Sequence, residues 1–450
     1  MAKRATKEVA GSGDRMASAR SIGRYRSSMA VTVPAATEQI DYADLYARWE
    51  RSNWSATEID FSRDREDWQT KFTPQQRRSA LWLYALFFHG EDSVAGNLSP
   101  YIDAAPLAEQ KYFLATQQAD EARHAVFFQR FFREVAGVGD GSLSSGLRAT
   151  APELSWGHRK TFARLDRMAG ELRRDRSPRK LAAAVTLYHV IVEATLAQPG
   201  QHLIESSLQA MDLMPGLREG IRNVALDEQR HIAFGVRLLA DLYQADPQGT
   251  QDAIVDIVRE VLQWTLSVPI PPRFDDSYTE CFGFTLEDLF EQGATSNEAR
   301  LRAVGLPLEQ IAHFPLPMDV PPRERGRRAL ALLRAGWLGQ RNGPIGRDPE
   351  TVQILFDLLA VNARGEEVPS GTTIQWEFRD AEPWWLALDG GRKRAEQGRL
   401  AKPTVRLRMG LDDFAELVSK RAAAPRLMLA GRLRAWGDPR VLMKLSRLFA

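Results

Sequence analysis

The sequence predicts a mainly α-helical bundle followed by a smaller α+β unit, and three observations carry that prediction. From Tyr42 to about Leu266, good helix formers dominate, apolar positions recur every three or four residues, and Pro or Gly falls mostly between segments. Within that stretch the pattern Asp-Glu-x-Arg-His occurs twice, as Asp120-Glu121-Ala122-Arg123-His124 and Asp227-Glu228-Gln229-Arg230-His231. Beyond Gly371 the text changes to β-branched and aromatic alternation, which has the period of strands.

Taken in order, the apolar period predicts long helices at about 75–99, 106–136, 158–174, 179–212, 217–245 and 249–267. A loop rich in Gly and Ser (137–146) separates the second from the third. Ser267-Val268-Pro269-Ile270-Pro271-Pro272 ends the bundle, because Pro cannot continue a helix. Residues 273–325 read as short helices and connections, closing with Pro321-Pro322. Residues 326–362 are helical again. Thr372–Phe378, Trp384–Leu388 and Thr404–Met409 then read as strands. Leu411–Arg421 and Asp438–Phe449 read as amphipathic helices flanking a strand at about 426–435. The expected division is a disordered basic tail (1–35), a ferritin-like bundle (36–295), a linker (296–325) and an α+β domain (326–450).

Composition bounds the chemistry. The 44% hydrophobic and 26% charged content is that of an ordinary globular protein. A formal charge of +2, with no basic stripe interleaved with aromatics, argues against nucleic acid. The single cysteine, Cys281, excludes an intrachain disulfide and suits a reducing cytoplasm. No uninterrupted apolar run approaches the ~18–20 residues of a membrane span, and the N-terminus lacks a signal-like apolar core. No integral membrane association is expected.

The repeated motif carries the chemistry. Residues i and i+3 share a helix face, so Glu121/His124 and Glu228/His231 can each aim one oxygen and one nitrogen at a single point. Each copy is preceded by a carboxylate in an apolar helix: Asp92 or its neighbour Glu91, and Glu193. Carboxylates embedded among Ala125-Val126-Phe127-Phe128 and Ile232-Ala233-Phe234 are costly to bury unless a cation compensates them. Two Glu-x-x-His pairs and two further carboxylates make a six-ligand site for two metal ions at the centre of four helices. Mixed carboxylate and imidazole ligands suit iron or manganese. Asp120 and Asp227 are placed to orient the imidazoles.

The text Ser52-Asn53-Trp54-Ser55-Ala56-Thr57-Glu58-Ile59-Asp60-Phe61-Ser62-Arg63-Asp64, with Phe87-Phe88-His89-Gly90-Glu91-Asp92, resembles the small subunit of ribonucleotide reductase. That resemblance favours Asp92 as the first metal ligand and implies Glu121, His124, Glu193, Glu228 and His231 as the others. It places Trp54 and Asp227 on an electron-transfer path. Two features depart from it. Phe128 stands where that family keeps a radical tyrosine, and the chain continues into another folded unit.

A nearer resemblance is to the ligand-binding oxidases of the same superfamily, which hold a Mn/Fe or Fe/Fe centre and a fatty-acid-like ligand. It rests on Gly90-Glu91-Asp92-Ser93-Val94, Phe127-Phe128-Gln129-Arg130-Phe131-Phe132 and Tyr188-His189-Val190-Ile191-Val192-Glu193. It implies a covalent link between Val94 and Tyr188, and an aspartate at 92 is one methylene shorter than that family's usual glutamate. Ala197, one turn beyond Glu193, leaves room where the reductase subunit has a bulky aromatic, and Gln198-Pro199-Gly200 predicts a kink. Ala197, Gln201 and Phe128 are the candidate substrate-pocket residues.

The order of Gly371–Phe378, Trp384–Leu388, Asp412-Asp413-Phe414 and Gly431–Asp438 resembles the sterol-carrier-protein type two domain, which implies lipid binding. The combined expectation is a cytoplasmic, homodimeric oxidase or monooxygenase. It would use two transition-metal ions, dioxygen as oxidant and an external electron donor on a lipid-like substrate. A radical-generating reductase subunit and a non-enzymatic lipid-binding metalloprotein are the alternatives; iron storage is the weakest.

Overall fold

The structure is a computed structural model that describes residues 41–341, 343–389 and 392–449. The expected basic tail, 1–35, lies outside the described residues. Four long helices organise the first part: α1 (Pro74–Asn97), α2 (Ala108–Glu134), α3 (Pro178–Met211) and α4 (Pro215–Ala245). They form two antiparallel hairpins. Ala95 meets Gln118 and Phe88 meets Phe132 across α1 and α2. His189 meets Phe234, and Glu193 approaches His231, across α3 and α4.

Local chemistry fixes these helices. Thr73 and Gln76 form a capping box ahead of α1, with Pro74 in the first turn. The start of α4 is capped from outside: Asp64 accepts from the Gly216 and Leu217 amides at 2.9 and 2.7 Å, and Asp67 from the Met214 amide at 2.9 Å. Those buried carboxylates satisfy otherwise orphaned donors at a positive helix end, and so fix where α4 begins. Gly235 lets α4 approach α3, since a Cβ there would stand 2.3 Å from the His189 Cβ.

Helix α3 is not broken at Pro199. Thr186–Ala197 instead adopts π-helical geometry, in which the Gln198 amide bonds to the Glu193 carbonyl, and the helix continues to Met211. The irregularity falls in the wider turns ahead of Pro199, and the helix runs on beyond it. By length and apolarity α3 could cross a membrane, contrary to the expectation that no such segment exists. However, 72% of its most apolar window is buried, because α3 is the bundle's central helix.

Two further helices, α5 (Pro247–Leu266) and α6 (Leu286–Val304), flank the bundle. Helix α6 runs through residue 295, and Leu301, Val304, Ile311 and Phe314 belong to the bundle core, which therefore extends into the expected linker. Helices α7 (Pro322–Arg334) and α8 (Pro349–Asn362) lead to a five-stranded sheet of order β3-β2-β1-β4-β5. Its strands are β1 (Thr372–Phe378), β2 (Trp384–Asp389), β3 (Arg392–Gln397), β4 (Val405–Met409) and β5 (Arg434–Gly437). β1 and β4 run parallel; the other pairs are antiparallel. The expected strand at 426–435 is instead a short helix, Ala424–Leu429, followed by β5. Phe356 of α8 stacks on Trp384 at 4.5 Å and packs against Trp376 and Phe414, filling the space between helix and sheet. The two parts touch through His313, bonded to Glu366 at 2.9 Å and Lys393 at 3.1 Å.

Candidate metal centre

Each of the four long helices delivers its carboxylates to one buried place. Glu91, Glu121, His124 and Glu228 offer ligand atoms within 4.8 Å of one another, and so do Glu121, Glu193 and His231. Glu121 belongs to both sets. Asp92 is not in either. One step along a helix turns the side chain by about 100°, so Glu91 faces the cluster and Asp92 is left half-buried outside it. The expected first ligand is corrected to Glu91, and Val94 then lies one turn from it on the same face.

The histidines are braced crosswise. His124 directs Nδ1 towards Glu91 and Glu121, 3.3 Å from each, and Nε2 towards Asp227 at 3.1 Å. His231 directs Nδ1 towards Glu121 at 3.2 Å and Nε2 towards Asp120 at 3.1 Å. The aspartate of each motif thus holds the histidine of the other, leaving Nδ1 as an acceptor when Nε2 carries the proton. Arg123 bonds both aspartates, reaching Asp227 at 2.8 Å. Arg230 does the same, reaching Asp120 at 3.4 Å. The arginines therefore pair with the aspartates and not with the glutamates.

Trp54 donates Nε1–H to Asp227 at 2.8 Å and stacks near His124. Sequence reading missed its counterpart: Trp49 donates to Asp120 at 2.9 Å. The duplicated motif was the available signal, since a tryptophan for one aspartate invites one for the other. Gln117, also missed, donates to Glu193 at 2.8 Å and to the Tyr188 hydroxyl at 3.0 Å. It lies one turn before Glu121 in an unremarkable polar run, Thr116-Gln117-Gln118.

The electrostatics fit a pair of cations. Burial pushes the Glu91 carboxyl up to about 8. Burial, then the charge of Glu228, raises Glu193 well above the carboxylate range, and burial raises Glu228. Burial also opposes charge on Glu121, but the adjacent imidazoles of His124 and His231 outweigh it and hold that carboxyl well below the usual range. Glu121 Oε2, Glu193 Oε2, Glu228 Oε2 and His231 Nδ1 are buried with no hydrogen bond. Orphaned acceptors of this kind are costly unless something coordinates them. Four carboxylates and two neutral imidazoles balance the charge of two divalent ions, so the residues present fit a dinuclear group.

Beside the cluster lies a cavity of about 80 Å³, walled by Glu91, Glu121, Glu193 and Glu228 on one side and by apolar residues on the other. Val94, Tyr188 and Ala197 line it. Tyr188 donates to Glu121 Oε1 at 2.7 Å, and burial followed by the charge of Glu121 keeps its phenol protonated. Of the other expected pocket residues, Phe128 is fully buried against Phe87, with ring centroids 5.8 Å apart, and Gln201 is also fully buried. Neither forms part of this cavity's wall, which is a correction. For Phe128 the Phe87 ring intervenes; Gln201 lies one position round the helix from Gly200, which does line the cavity.

Comparison with known proteins agrees with this geometry. The model of the ribonucleotide reductase small-chain family matches residues 35–268, and that of the SCP-2 sterol transfer family matches 367–450. Among solved structures, the chain is similar to an R2-like ligand-binding oxidase from Sulfolobus acidocaldarius. The identity is 27% and the TM-score 0.51, over 58% of this chain and 89% of that one. Two variants of an R2-like ligand-binding oxidase with anaerobically reconstituted Mn/Fe cofactor are also similar. One has 26% identity and TM-score 0.51 over 60% of this chain and 96% of its own. The other has 27% and 0.50 over 60% and 97%. With its bundle matched over more than half of the chain, this protein belongs to the ribonucleotide reductase small-chain family, fused to an SCP-2-like α+β unit.

Proposed function

We propose that this protein is a dinuclear metal oxidase of Mn/Fe or Fe/Fe type that uses dioxygen to oxidise a lipid-like or otherwise apolar substrate. One observation carries the reading: the two ligand sets sharing Glu121 open directly onto an apolar cavity. Glu91, Glu121, His124 and Glu228 would hold one ion, and Glu121, Glu193 and His231 the other. When bound, such a pair supplies dioxygen activation and electron transfer. The chain's own residues do the rest. Asp120 and Asp227 hold the imidazole protons on Nε2, keeping Nδ1 towards the metals. Gln117 holds both Tyr188 and Glu193 in place. Tyr188 keeps its proton on the hydroxyl oxygen facing Glu121, within reach of the cavity and of Val94, its proposed cross-linking partner.

The apolar wall favours an aliphatic substrate and excludes water from the reacting group. Trp54, bonded to Asp227 and half-buried, supports entry of electrons from an external donor. Phe128 offers no phenol to carry a stored radical, which favours an oxidase over a reductase subunit. A cytoplasmic homodimer is proposed by analogy within the superfamily. The test is oxygen uptake by full-length protein reconstituted with Fe alone and with Mn plus Fe. Uptake should be abolished in Glu193→Ala. Equal uptake by wild type and variant would overturn the proposal.

A further inference from the structure

The cavity at the carboxylates is the first of three in series. A second, of about 130 Å³, lies between α3, α5, α6 and α7; its wall includes Ile191, Val258, Val261 and Gly293. Leu196, Pro269 and Leu289 line both the first and the second. A third, of about 280 Å³, lies against the C-terminal part and takes in Leu332 of α7 with Ile354, Leu358 and Val361 of α8. Leu262, Leu266, Leu316, Arg325 and Ala329 line both the second and the third.

We propose that the three cavities form one channel for an unbranched aliphatic chain, running from the face shared with the SCP-2-like unit to the carboxylate cluster. Side chains, mostly leucines, separate adjacent cavities, and leucine rotamers interconvert readily where there is space to enter. Leu196 is half-buried and lies in the π-helical segment of α3, where the wider turn loosens packing along the helix. The ionisable groups along the path stand mostly at its two ends, and the middle cavity adds the neutral side chains of Thr195, Thr265 and Asn297. The inner end has the four glutamates, and the outer cavity has Asp319, Arg328 and Asp357. Between them, Arg325 is bonded to Glu298 and to the Val320 carbonyl, so its stem is presented to the channel with its charge already paired. A narrow apolar bore with polar ends suits a long acyl or alkyl chain and disfavours a compact polar molecule.

This inference rests on the proposed oxidase reading only for the meaning of the inner end. The probe is hexadecanoic acid carrying a mid-chain diazirine, photo-crosslinked to the full-length chain both metal-free and metal-loaded, with an octanoic acid analogue as the short control. Adducts are expected on α5 and α6 between Val258 and Asn297, and on α7 or α8. Ala329→Phe, placed at the wall between the second and third cavities, should lower adducts on one side of that wall at least tenfold while leaving the far-ultraviolet circular dichroism unchanged. Wild-type adducts confined to the first cavity or to exposed residues would overturn the channel, whatever the variant does. So would equal labelling by the two acids along the whole path. Labelling along the path without oxygen uptake would leave the channel standing and remove only the oxidase reading.

Discussion

The interiors of the two halves are built on opposite terms. In the sheet unit the buried Gln375 is fully matched. Its amide donates to the carbonyls of Trp384 and Gly398 at 2.9 and 3.0 Å, and its oxygen accepts from the Leu400 amide at 2.8 Å. On the opposite face of the sheet the Phe356–Trp384–Phe414 stack closes the core. In the bundle, three glutamate oxygens and a histidine nitrogen are just as buried and make no hydrogen bond. A core selected only for stability satisfies its polar atoms. One that leaves four unsatisfied within a few ångströms is shaped around something else, and the sign of the charge says cations.

The sharpest way to break that comparison is Glu121→Ala. Because Glu121 serves both ligand sets, bound transition metal should fall from two ions per chain to at most one, read by elemental analysis. Retention of two would mean that the sets do not share that glutamate. In the other half, Phe356→Ala should cost about 3–5 kcal/mol of stability, as for other large buried aromatics. It should leave metal content unchanged; denaturant unfolding with metal analysis reads both.

Asp227→Asn should lower metal affinity about 10–100-fold, the usual effect of loosening a histidine's outer partner. A competition titration with a chelator measures it. A smaller effect follows from His158, which donates its Nε2–H to the Leu86 carbonyl at 3.1 Å and whose pKa burial lowers to about 3. Its unfolded-state value is 6.5, so the unfolded chain binds the extra proton first. Stability is therefore retained above pH 6.5 and lost as pH falls towards 3, at about 1.4 kcal/mol per unit. In His158→Gln that slope should flatten by the same amount in denaturation curves taken at pH 7, 6 and 5. The smallest effect is expected for Asp92→Ala, whose metal content should equal the wild type's, whereas Glu91→Ala should lose metal.

Much of this was legible beforehand, because α-helical spacing converts text into geometry. Glu121/His124 and Glu228/His231 had only one face to share, and the six helices expected between 75 and 267, including Trp156–Leu172, lie within a few residues of their expected ends. Asp92 against Glu91 was not legible by spacing. Two adjacent carboxylates differ by a rotation about the helix axis, and the analogy chosen for the ligand pointed to the wrong one. Strand β3 was missed because Arg392-Lys393-Arg394-Ala395-Glu396-Gln397 is an edge strand, where charge guards against further pairing and masks β propensity. The short helix at Ala424–Leu429 was misread because six residues span fewer than two turns, too few for a period that separates helix from strand. Trp49 and Gln117 matter through partners more than seventy residues away, which no local pattern encodes.

The crosswise brace has a bearing on how the protein matures. His124 rides on the first hairpin but is steadied by Asp227 of the second, and His231 the reverse. On the proposed dinuclear reading, a nascent chain with one hairpin finished would own neither complete ligand set, so uptake of both ions would wait until both hairpins have docked. Loading then doubles as a checkpoint on assembly: a bundle that has captured its pair of ions has, by that act, its two halves locked in register.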